Sequence, residues 1–178
     1  VTASRRRFKM PVPIFSLVHR LRRHHALEHA TIHVLSQRYP NLRVVGRSTL
    51  DGFVLYGNLP TEGVLLAAQH ALKRLRAGQR NLALHPACGT NFVAAGAMAG
   101  LGAFAVLTPR RQGWKEWLSR LPMVILVATV GTLLGQRMGL LLQVLVTTDP
   151  DVGSLRIAGV VREERGALVV HRVRVREE

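Results

Sequence analysis

Apolar positions recur at helical spacing over residues 17–38, where Leu27, Ala30, Val34 and Leu35 form a stripe. Tyr39-Pro40-Asn41 ends that helix with turn-forming residues. The next run, LRVVGRSTLDGFVLYG, changes period. Two β-branched or aromatic stretches flank Thr49-Leu50-Asp51-Gly52, and an Asp-Gly pair tolerates the positive φ of a hairpin turn. Pro60-Thr61-Glu62 opens a second helix, TEGVLLAAQHALKRLRAGQ, which basic residues and Gly78 close. A short strand is expected at NLALH and a tight turn at PACGT.

The pattern then becomes continuously apolar. Residues 91–107 and 121–135 carry no charge, although both fall short of the ~20 residues of a comfortable membrane span. The second lengthens only by taking Gln136 and Arg137 inward or letting them snorkel. Gly96 and Gly100 offer a small-xxx-small face for close packing, and Trp114, Trp117 and the nearby arginines read as an interfacial belt. We read a membrane helical hairpin here, the alternative being two core helices of a soluble protein. MGLLLQVLVTT continues as an apolar or interfacial helix up to Asp149-Pro150, and the alternation in LVVHRVRVR marks a C-terminal β-hairpin.

The expected fold class is therefore α+β. A small helix/β-hairpin/helix/strand domain leads into a transmembrane or membrane-embedded helical hairpin, and a β-hairpin closes the chain. Residues 1–90 form the basic α+β region, 91–147 the membrane hairpin and interfacial helix, and 148–178 the final hairpin.

Charge sharpens this picture. The 178 residues carry a formal net charge of +15 while 48% are hydrophobic, a combination that argues against disorder. Residues 1–90 hold 14 Lys/Arg against Glu28, Asp51 and Glu62, so this half suits anionic lipid heads. Membrane lipids are the expected partners. No specific nucleic acid is expected, since aromatics are few and no aromatic, Gly-rich strand motif occurs. The basic N-terminus reads as an interfacial segment and not as a signal peptide, because its apolar patch VPIFSLV is short. An integral protein of the cell membrane with both termini cytoplasmic follows from the even number of spans and the basic first half.

Four of the eight histidines and a glutamate crowd into HHALEHATIH, residues 24–33. His25 and His29 are i and i+4, so both imidazoles stack on one helix face and can address one ion. Glu28 lies at the edge of that face, as a general base or a third ligand. The H-x-x-E-H spacing is that of inverted zincins. A second group, His85-Pro86-Ala87-Cys88-Gly89-Thr90, brings a histidine and the single cysteine together on a turn before an apolar helix. That thiolate and imidazole are suited to complete a tetrahedral site, and a soft sulfur ligand favours zinc or iron over magnesium. The helix dipole favours the Cys88 thiolate. Thr90 and Asn91 are candidates to support a metal through hydrogen bonds. His24 points off the shared face, His33 extends it or packs, and His19, His70 and His171 are expected at surfaces or interfaces. Asp51 belongs to its turn.

Together HALEHATIH and LHPACGTNF resemble the bacterial membrane family called YqhQ-like (domain of unknown function 1385), described as predicted metal-dependent enzymes. The chain looks closer still to a related family, domain of unknown function 6391, over roughly residues 20–150. The resemblance maps His25, Glu28 and His29 onto the first motif and His85, Cys88, Gly89 and Thr90 onto the second. Ala30 and Ala87 replace a Lys and an Arg of the YqhQ-like pattern, so no anion-binding role of those side chains transfers.

Three functions are compatible with these residues. In the first, His25, His29 and one or both of His85 and Cys88 hold Zn²⁺ in a membrane-anchored hydrolase or peptidase, with Glu28 as the catalytic base. In the second, all four ligands close the shell around a structural zinc in a scaffold or partner-binding protein. In the third there is no metal, and the basic half binds lipid or nucleic acid.

Overall fold

The computed structural model describes residues 14–108, 113–166 and 168–178. Helix α1 (Ile14–Arg38) is already formed at the first described residue, three positions ahead of the expected start, and it ends three residues before Asn41, which takes positive φ. Strands β1 (Val45–Thr49) and β2 (Gly52–Tyr56) form the expected hairpin. Gly52, at φ 137°, is required there, because a Cβ would overlap the Val173 carbonyl of the neighbouring strand. Helix α2 (Thr61–Arg76) has Pro60 at its N-cap, Glu62 in its first turn and Lys73, Arg74 and Arg76 in its last, in the sense that complements the helix dipole.

The strand expected at NLALH does not form; Arg80–Ala83 is a single 3-10 turn lying on α1. Its reason is hydrogen bonding. The segment reaches neither edge of the sheet, and a lone strand would leave its amides unpaired, whereas the turn bonds Leu82 N–H to Gln79 O and Leu84 N–H to Asn81 O.

The C-terminal hairpin, β3 (Leu155–Arg165) and β4 (Leu168–Glu177), does not stand apart from the first. β4 pairs with β2, giving one antiparallel sheet of order β1-β2-β4-β3. One face of this sheet presents Phe53, Leu55 and Val173 to the apolar sides of α1 and α2, where Leu27, Leu35, Val64 and Ala68 are fully buried. His171, expected at a surface, is instead fully buried beside Leu55 on that face. Arg23 fastens α1 to the tail by donating to Asp151 O, Ser154 Oγ and Glu177 Oε1.

Among the described residues, two helices are long and apolar enough to cross a membrane. Helix α3 (Gly89–Leu107) is followed by the short α4 (Trp114–Ser119), on which Trp114 and Trp117 are exposed, and then by α5 (Leu121–Leu142). The arginines expected beside those tryptophans at positions 110 and 111, like the N-terminal segment up to Pro13, lie outside the described residues. α5 does not stop at 135. It runs unbroken into a π-helical turn, Gln143–Thr147, so the span and the following apolar helix are one element of 27 residues.

The close packing of this hairpin uses different glycines from those expected. Gly96 and Gly100 face open space. Gly131, Gly135 and Gly139 of α5 instead meet the α3 backbone at Ala99, Ala95 and Asn91, where no Cβ would fit. Both sets recur every four residues, but the face of α3 that α5 covers is the alanine face.

Candidate metal centre

The site forms where α1 passes the N-terminus of α3 and the C-terminal end of α5. Cys88 caps α3 in an extended conformation, which places its Sγ between α1 and the first helical turn. Its thiol lies 3.4 Å from His25 Nε2 and 3.5 Å from the Thr90 hydroxyl. The ligand atoms of His25, His29 and Cys88 all fall within 4.8 Å of one another, a set that can hold a metal ion.

What aims the two imidazoles is backbone from distant parts of the chain. His25 Nδ1 is 2.9 Å from Thr147 O and His29 Nδ1 is 2.7 Å from Ala83 O. A carbonyl only accepts, so each Nδ1 carries the proton and each Nε2 is left for another partner. This is the arrangement by which outer hydrogen bonds fix the tautomer of a metal-binding histidine. The π-helical turn delivers Thr147 O and the 3-10 turn delivers Ala83 O, so both irregular elements serve the site.

Tetrahedral zinc, with Zn–N of ~2.0–2.1 Å and Zn–S of ~2.3 Å, separates a nitrogen and a sulfur ligand by roughly 3.6 Å. The 3.4 Å between His25 Nε2 and Sγ fits that requirement. His85 stays outside this donor set. Its ring centroid is 5.6 Å from that of His29 and 5.1 Å from that of His33, whose own Nε2 bonds Leu84 O. The main chain of His85 is tied instead to Gln143, whose Oε1 accepts from His85 N–H and whose Nε2 donates to His85 O and Asn91 Oδ1. His24 turns away from the cluster to Thr49 O, and His19 pairs with Asp149 across 3.0 Å.

Glu28 is 4% exposed and lines the same cavity as the three donors, outside their tight group. Its Oε2 accepts a hydrogen bond from Ser48 Oγ, and its Oε1 rests against Gly46, where a Cβ would overlap it. Gly46 and Ser48 share the helix-facing side of β1, so the strand both makes room for the carboxylate and holds it.

Electrostatics separate the roles. Burial raises the Glu28 carboxyl above its ordinary range, against the opposing pull of Ser48 and the two imidazoles. Burial also opposes ionisation of Cys88, but its hydrogen bonds with His25, His29 and Thr90 outweigh it and lower the thiol to about 5. His25 is raised, since Cys88 and Thr147 outweigh its burial. Burial, with the nearby His29 and His33, lowers His85 to about 4 and keeps it neutral.

The centre opens into a cavity of about 790 Å³ walled by α1, β1, the α3 N-terminus and the end of α5. Such a volume lies within the ~300–1,000 Å³ of small-molecule sites. Sequence reasoning singled out His25, Glu28, His29 and Cys88, but not Gly46, Ser48 or Gln143. Gly46 interrupts a β-branched run and Gln143 interrupts an apolar one, and those two breaks in pattern were the available signals.

A family described as a domain of unknown function (DUF6391) matches residues 20–160. An uncharacterized protein of Picosynechococcus sp. is 36% identical over 107 residues, covering 55% of this chain and 48% of its own length. The chain thus spans about half the length of the curated relative it matches. No solved structure matches it.

Proposed function

The chain belongs to the DUF6391 family, and we propose that it is an integral membrane, zinc-dependent hydrolase with its catalytic centre at the membrane surface. One observation carries this reading: both Nδ1 atoms are bonded to backbone carbonyls, so two imidazoles converge through Nε2 on a single cysteine. Three ligands with His85 excluded match the catalytic pattern, in which a fourth position is open to the reactant. A closed four-ligand structural site would need His85 or Glu28 as a further donor, and both lie outside the tight group.

His25, His29 and Cys88 would hold zinc, which would supply Lewis acidity toward a carbonyl or phosphoryl oxygen and acidify a bound water. Glu28 accepts the proton of the attacking water. Burial suits it to that task by bringing its pKa closer to neutrality, and Ser48 and Gly46 fix its position. His85, kept neutral beside His29, offers a ring nitrogen to the bound reactant. The likeness to the YqhQ-like family, described as predicted metal-dependent enzymes, is consistent with this assignment.

The apolar outer surfaces of α3 and α5 support placement across the cell membrane. The basic first half supports cytoplasmic termini. A Glu28→Gln variant tests the catalytic role, using a panel of carboxyl esters, phosphoesters and peptides. Retained zinc with lost hydrolysis supports the role, and unchanged hydrolysis rejects it.

One competing reading has its own support. The 3.4 Å contact between Cys88 Sγ and His25 Nε2, with the thiol lowered and the imidazole raised, describes a thiol–imidazole pair that would serve as a metal-free nucleophile. A nucleophilic pair needs one base, however, and here a second imidazole with a fixed tautomer is aimed at the same sulfur. Trapping of Cys88 by an electrophile in zinc-loaded protein would favour the nucleophile, while protection by zinc favours ligation.

A further inference from the structure

The cavity has two chemically distinct ends. Its floor is the polar group of His25, Glu28, His29, Cys88 and Ser48, and its mouth is apolar. Val18, Leu21, Val45, Phe92 and Val146 all line it and are exposed, Phe92 and Val45 by 67% and 68%. Exposed aliphatic and aromatic side chains around a polar site are costly in water. Here two of them belong to the membrane elements themselves. Phe92 is on the first turn of α3 and Val146 is in the last turn of the 27-residue apolar element. The mouth is therefore continuous with the outer faces of both candidate spans, and it lies at their interfacial end.

Charge identifies the other half of the ligand. Arg22 lines the cavity, and its guanidinium donates to the carbonyls of Leu145 and Thr148, which leaves its charge without a carboxylate among the described residues. Arg47 also lines it, is exposed, and has no ion pair among the described residues. An apolar entrance at membrane level, uncompensated guanidinium charge and a polar floor together fit an anionic amphiphile.

We infer that the site takes an anionic bilayer lipid, which enters sideways from the membrane with its chain against Leu21, Val45, Phe92 and Val146 and its headgroup toward the His25–His29–Cys88 floor. This rests on the membrane and metal readings above and adds the class of substrate. A soluble peptide or sugar would leave the apolar mouth exposed and the arginines unmatched.

Native mass spectrometry of the full chain, released from nanodiscs of mixed phosphatidylglycerol and phosphatidylcholine, tests the inference and reads zinc in the same spectra. One retained phosphatidylglycerol per chain is expected. Arg47→Glu and Val45→Glu, both at exposed rim positions, should each weaken that retention about tenfold or more, with zinc unchanged. Leu50→Glu, on the distant hairpin turn, should not. No preference for phosphatidylglycerol, or retention indifferent to both rim variants, overturns the inference. So does displacement of the lipid by inorganic phosphate alone, which would assign the charge to a free anion. Zinc bound without retained lipid defeats this inference and leaves the metal reading intact. Lipid retained in a chain that binds no zinc does the reverse.

Discussion

Gly46 on β1 lies directly against the carboxylate of Glu28 on α1, with no space for a Cβ between them. Gly46→Ala must therefore move the carboxylate, which is the one neighbour there that can yield. Overpacking of this kind costs about 1–3 kcal/mol, so a lower melting temperature is expected. Zinc should remain, because no ligand is touched, while hydrolysis falls as in Glu28→Gln. Metal content and thermal unfolding measured on one preparation check this; an unaltered melting temperature and rate would show that the contact is unimportant.

Ser48→Ala removes the donor from a buried carboxylate without altering the backbone. Leaving a buried acceptor unpaired costs about 1–3 kcal/mol. Because Ser48 pulls the Glu28 pKa downward, its loss should raise that pKa further. The acidic limb of the pH–rate profile should move to higher pH, and a limb that stays in place would remove Glu28 from the role of base.

The α3–α5 hairpin makes a sharper comparison. A Cβ on Gly135 would overlap Ala95 Cα and come 2.7 Å from Ala94 O, both backbone atoms that cannot swing aside. Gly135→Ala should lower the thermal stability of the detergent-solubilised protein by an amount on the order of 1–3 kcal/mol. Gly96→Ala, facing open space, should stay within about 0.5 kcal/mol of wild type. The opposite ranking would mean that α3 presents its glycine face to α5.

In the metal-free protein Cys88 titrates near 5 against an ordinary 9.0. Between those values the unfolded chain holds a proton that the folded chain has lost, so this group adds stability as pH rises. Its contribution is full above about 9 and disappears as pH falls through about 5. His25 acts oppositely: its raised pKa contributes below the ordinary 6.5 and fades as pH rises past the raised value. Chemical unfolding across this range should show that the Cys88→Ser variant loses the stabilisation gained toward alkaline pH. A variant with the wild-type slope would contradict the assigned thiol.

Much of this arrangement is visible in the chain itself. The i, i+4 spacing put His25 and His29 on one face, and the single cysteine before an apolar helix marked the second half of the site. The Asp51-Gly52 turn and the alternation in β4 announced both hairpins. What remained hidden depends on tertiary placement. The proton on each imidazole is fixed by Ala83 O and Thr147 O, backbone atoms 54 and 122 residues away. His85 matches the motif as well as Cys88 does, yet its main chain is held by Gln143 and its ring lies beside those of His29 and His33, outside the tight donor group. The glycines of α3 and α5 have the same period, so spacing alone did not say which helix would lend its glycines to the contact.

Metal analysis of the full chain purified without chelators addresses the three-ligand centre most directly. One zinc per chain is expected in wild type and in His85→Ala. His29→Ala and Cys88→Ser should each weaken binding beyond the ~10–100-fold typical of losing an outer hydrogen-bond partner. A wild-type protein without zinc, or a His85→Ala variant as depleted as Cys88→Ser, would contradict the account.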